Sequence, residues 1–65
     1  MKEIEHRTNG VVVFLSNDEV DMIIAGLRET LEALEDWEFD TRTGFQRSEV
    51  ENFLRRMQAL ARGKG

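Results

Sequence analysis

Sixty-five residues carrying 13 acids, 9 bases, one histidine, no cysteine and no proline read as a single domain, 1–65, of net charge −4. At that size a lone core is marginal, and disulfides, metals or oligomerisation commonly supply the difference. The absence of cysteine excludes disulfides, and one histidine without thiolates cannot assemble a structural zinc site, so oligomerisation is the support left.

In chain order, EIEHRTNGVVVFLS reads as a β-hairpin with strands at about 3–7 and 11–15, because Asn9-Gly10 tolerates the two positive φ angles of a type I′ turn. With that turn, Thr8 faces Val11, Arg7 faces Val12, His6 faces Val13, Glu5 faces Phe14 and Ile4 faces Leu15. Alternation then places Ile4, His6, Val11, Val13 and Leu15 on one face, the expected core face. Val12 and Phe14 fall on the other, among charges, and are the candidate dimer interface. A two-stranded ribbon is marginal alone, so a helix or a second copy of the chain is expected to cover them.

Ser16 opens SNDEV, a capping box in which Ser16 and Glu19 satisfy each other's backbone N–H, with Leu15 and Val20 at the staple positions. Val20, Ile23, Ile24, Leu27, Leu31 and Leu34 then recur at steps of three and four, the stripe of an amphipathic helix over about 17–35. Gly26 within it marks either a close approach by another element or a tolerated surface glycine. The segment 36–44, DWEFDTRTG, is a short helix or an ordered loop, in which Trp37 and Phe39 are expected to close the core and Gly44 to end the segment in a left-handed conformation. A last helix over about 46–62 turns Val50, Phe53, Leu54, Met57, Leu60 and Ala61 to one face, and the tail GKG is expected to fray. The fold class is α+β: a hairpin, a long helix, a connector and a final helix.

The charges are segregated along the chain. Residues 16–40 hold nine acids against one base, and residues 41–65 hold two acids against six bases. Within the acid block, Asp18, Asp21, Glu29, Glu32 and Asp36 have helical phases opposite the apolar stripe. They form either a solvated face or an anionic surface that engages a protein partner with a basic surface, where complementary charge speeds encounter and biases choice of partner. No dense coordination loop of the calcium type is present, so no metal or cofactor is expected. His6 reads as a structural or exposed histidine rather than a general base, and no cluster of nucleophile, base and orienting group suggests an enzyme. The longest apolar run, Val11 to Leu15, is far too short to span a membrane, and a cytoplasmic location is the expectation.

EFDTRTGFQRSEVENFLRRM, residues 38–57, resembles the helix-turn-helix half of bacterial repressors, with Gly44 at the turn and Val50 and Phe53 packing the second helix inward. The resemblance implies that Gln46, Arg47, Ser48, Glu51 and Asn52 face the major groove and that Arg55 and Arg56 lie near phosphates. Residues 20–57, with their W-E-F-x-T-R-x-G connector, are also similar to small uncharacterised bacterial proteins, a group that carries no function to transfer. Two readings follow. The preferred one is a small non-enzymatic interaction module of bacterial or phage type, regulatory, immunity or inhibitory, acting as a homodimer through charged surfaces. The alternative is a DNA-binding regulator, against which the acid block works because DNA affinity rests on neutralising phosphates.

Overall fold

The computed structural model describes residues 1–63. Two antiparallel strands, β1 (Lys2–Arg7) and β2 (Gly10–Phe14), precede three helices, α1 (Asn17–Ala33), α2 (Asp36–Thr43) and α3 (Arg47–Arg62). The α+β architecture is the expected one, and 36–44 resolves as a helix closed by Gly44. The expected fraying at Lys64 and Gly65 lies outside the described residues.

The hairpin departs from expectation at its turn. Arg7 pairs with Gly10, His6 with Val11 and Glu5 with Val12, so Thr8 and Asn9 form the loop. Gly44 alone has a positive φ among the described residues, which excludes the type I′ turn at Asn9-Gly10. A two-residue slip preserves the parity of side chains, so His6 and Val11 still share one face and Glu5 and Val12 the other. Beyond them an irregularity between Glu3 and Glu5 carries Ile4 out of register and pairs Glu3 with Val13 and Lys2 with Phe14. Such a bulge leaves its extra residue unpaired and bends the strand. Ile4 and Val11, expected in the core, are exposed, while Val13 and Leu15 are half-buried. The physical reason is that the hairpin packs on no helix: the element contacts are β1 with β2, α1 with α3, and α2 with α3.

Each helix begins with the same device. Glu19, Glu38 and Glu49, each three residues past its cap, reach back to the backbone N–H of Ser16 (2.9 Å), Glu35 (3.0 Å) and Gln46 (3.0 Å). At α1 the box is reciprocal, with the Glu19 N–H donating to Ser16 Oγ at 3.1 Å. The α1 helix stops at Ala33, two residues before the expected end, and Leu34 is extended at φ −103°. At the end of α2, Gly44 adopts φ 82° and donates its N–H to the Asp40 carbonyl at 2.8 Å, a left-handed cap that side chains with a Cβ resist.

Burial is sparse. Only Phe39 and Met57 are buried among the described residues, at 1% and 4% exposure, where α2 and α1 meet α3. The apolar stripe of α1 is half-buried throughout. Trp37, expected as a second core closer, is 80% exposed. Each residue turns the helical direction by about 100°, so Trp37, two positions before Phe39, points to nearly the opposite side of α2 and cannot share its contact with α3. The molecule measures 36 × 32 × 15 Å, with a radius of gyration of 13.4 Å against about 10.7 Å for a domain of this length. Its thin dimension is little more than one helix diameter of about 10–12 Å.

Candidate interaction surfaces

Four surfaces hold the candidate residues. The first is the outer side of α1, where Asp18, Asp21, Glu29 and Glu32 are all exposed. At about 1.5 Å rise per residue, Asp18 to Glu32 spans about 21 Å along the side opposite the apolar stripe. Asp18, Glu29 and Glu32 make no ion pair or hydrogen bond through their side chains among the described residues. Asp36 does not extend this line. It belongs to α2, beyond the break at Leu34 and Glu35, and its carboxylate accepts from Arg47.

The second surface surrounds Arg47, a cleft formed by Asp36, Trp37, Asp40, Gln46, Ser48 and Glu51. Here Arg47 itself turns inward. Its Nη1 donates to the Leu31 carbonyl at 2.9 Å, Nη2 donates to the Leu34 carbonyl, Nε donates to Asp36, and the guanidinium lies 4.8 Å from the Phe39 ring centroid. The last turn of α1 contains no basic residue of its own. Arg47 supplies that cation from the start of α3, satisfying carbonyls that a helix end leaves open and opposing its negative dipole end. The groove-facing role implied for Arg47 by the repressor resemblance therefore competes with four intramolecular interactions. Asn52 and Arg55 are exposed and bonded to each other, while Gln46 and Arg56 are exposed.

The third surface is an apolar groove of about 410 Å³ between α1 and α3, lined by Leu27, Phe45, Glu49, Val50 and Phe53. Phe45 and Phe53 are exposed, and Leu60 extends the same flank of α3 one step of seven residues further. Phe53 and Leu60 have the period of the apolar face expected of this helix. The period was correct, but α1 covers only the centre of that face. Phe45 sits outside any periodic run, so only the turn after Gly44 reveals its place; there its N–H donates to Thr43 Oγ1 at 3.1 Å.

The fourth surface is the hairpin. Phe14 is exposed at 61%, whereas Val12, its companion in the expected dimer interface, is half-buried. His6 is exposed and lies 3.0 Å from Glu3. At the hairpin's junction with α1, Glu19 meets the N-terminal ammonium. That ammonium, followed by the Ser16 backbone N–H, holds the Glu19 carboxyl below its ordinary value, because both favour the charged form.

No group of three or more histidine, acidic or cysteine side chains among the described residues is arranged to hold a metal ion. No helix among them is long and apolar enough to cross a membrane. Comparison with family models, with curated proteins and with solved structures found no match to this chain.

Proposed function

We propose that this protein is a small non-enzymatic interaction module, a homodimer whose acidic α1 face engages a protein partner with a basic surface, in a regulatory, immunity or inhibitory role of bacterial or phage type. The observation that carries the reading is the row of Asp18, Glu29 and Glu32, exposed and uncommitted to partners within the described residues. Exposed carboxylates held on one helix steer a cationic partner without breaking internal pairs. The reading narrows the acidic site to α1, because Asp36 is engaged by Arg47.

Its test is affinity capture with the native chain and with a variant carrying Asp18→Asn, Glu29→Lys and Glu32→Lys, circular dichroism confirming that both are helical. The native chain should retain a basic protein whose binding weakens as salt rises, and the variant should lose it. Equal retention by both overturns the acidic-face reading.

The alternative, a DNA-binding regulator, is favoured by one feature: α2 and α3 are joined by the short turn Gly44–Gln46 in the order a helix-turn-helix unit requires. It calls for duplex binding that falls steeply with salt and for a changed sequence preference on Asn52→Ala or Gln46→Ala. Absence of binding to mixed duplex at low salt removes it.

A further inference from the structure

We infer that the groove between α1 and α3 is the dimer seam, formed by antiparallel packing of α3 on the α3 of a second copy, with Phe53 beside the two-fold axis. The inference rests on the homodimer reading above but not on the acidic partner, which would occupy the opposite side of α1. It also moves the seam from the hairpin to the helices.

Three observations converge on a second copy. The chain exposes 5357 Å², about 1,000 Å² more than the roughly 4,300 Å² expected of a folded monomer of its mass. One side of a standard protein interface covers about 800 Å², so the excess matches what a stable dimer would hide. Next, the molecule is only 15 Å in its thin dimension, and its two long helices, α1 and α3, pack on each other and on no further long element. Domains are built from two packed layers, and a second copy supplies the missing one, converting α1 and α3 into a four-helix arrangement.

The last observation is complementarity of charge and shape about one point. Along α3 and its leading turn, Glu49 lies four residues before Phe53 and Arg56 three after; Phe45 lies eight before and Leu60 seven after. Antiparallel packing about a two-fold midway between Asn52 and Phe53 therefore brings Glu49 opposite the partner's Arg56 and Phe45 opposite the partner's Leu60, each twice by symmetry. Glu49 spends one oxygen on the Gln46 N–H and keeps the other. Arg56 is exposed and has no ion-pair partner among the described residues. The seam thus contains an aromatic centre, two reciprocal ion pairs flanking it and two apolar contacts beyond them at its edges. The acidic face of α1 lies elsewhere, and Glu49 meets an arginine, so the copies approach without opposing like charges.

Sedimentation and cross-linking test this directly. The native chain should sediment as a dimer at micromolar concentration, and Phe53→Glu should give a monomer of unchanged helical content, since Phe53 is already exposed in one copy. Arg56→Glu should weaken association at least tenfold by opposing Glu49 with a glutamate, and adding Glu49→Arg should recover it. Because the chain has no cysteine, Phe53→Cys offers a single thiol, which a short bis-maleimide should couple between copies, while Phe14→Cys should remain uncoupled. A monomeric native chain, a dimer that survives Phe53→Glu, or coupling through Phe14→Cys in place of Phe53→Cys would each overturn the seam.

Discussion

The guanidinium of Arg47 stacks on the ring of Phe39, 4.8 Å from its centroid, and through this pair all three helices are joined. Phe39 is the most buried side chain of α2, and Arg47 is the first residue of α3. From that position the arginine also bonds the Leu31 and Leu34 carbonyls at the end of α1. A planar fork suits the role, since it can donate to two carbonyls and a carboxylate and lie on an aromatic face together.

Arg47→Ala should therefore lower stability by about 2 kcal/mol, combining lost charge-assisted bonds with a lost cation–π contact. For a domain of this size that is a fall of roughly 8–16 °C in melting temperature. Arg47→Lys keeps the charge but not the fork, and should recover less than half. Thermal unfolding at one fixed protein concentration measures both. If Arg47→Ala melts like the native chain, the junction is not stabilised in this way.

The two aromatics of α2 should behave oppositely despite their closeness in sequence. Phe39→Ala creates a cavity at the only buried site on α2 and should cost about 3–5 kcal/mol, enough to unfold a marginal domain. Trp37→Ala removes a side chain that is already in water and should change stability by less than about 0.5 kcal/mol. Urea titration followed by circular dichroism distinguishes the two.

Glycines 26 and 44 give a second contrast. A Cβ at Gly26 would meet nothing within 4 Å, so Gly26→Ala should stabilise α1 by about 0.5–1 kcal/mol. The close approach that this glycine was one candidate to mark is absent. Gly44→Ala also meets open space, yet its φ of +82° imposes a left-handed conformation on alanine, and a loss of about 1 kcal/mol is expected. Melting temperatures moving in opposite directions would bear this out.

Acid should weaken the start of α1. The Glu19 carboxyl titrates below its ordinary 4.5 when folded, so its stabilisation is fully present above that value and is lost as pH falls through the lower folded value. Glu19→Gln should reduce the melting temperature at neutral pH and flatten its dependence on pH below about 4.5. A variant as acid-sensitive as the native chain would assign that sensitivity to other carboxylates.

Features whose physics is local are legible in the chain. The Ser16–Glu19 box, the long stripe from Val20 to Leu34 and the left-handed stop at Gly44 each depend on neighbours within four residues, and each appears in the structure. The hairpin was legible as two strands, but its turn was not. Asn9-Gly10 favours a type I′ turn in isolation, whereas the observed ladder closes at Arg7 and Gly10 with negative φ at Asn9 and takes up the difference at Ile4.

The surfaces divide in the same way. Periodicity alone placed Asp18, Asp21, Glu29 and Glu32 opposite the apolar stripe of α1, because an uninterrupted helix converts spacing into direction. It misplaced Asp36, since the break after Ala33 resets the phase. It also marked Phe53 and Leu60 as apolar-face residues without revealing that they lack cover.

Composition and pattern by themselves determined an α+β chain with segregated charge, two amphipathic helices and too little core for its length. Tertiary structure decided that Arg47 turns inward, that Trp37 turns outward and that an apolar flank of α3 stays open. Those outcomes depend on which helix lies against which, and α3 is brought beside α1 by contacts between residues far apart in the chain.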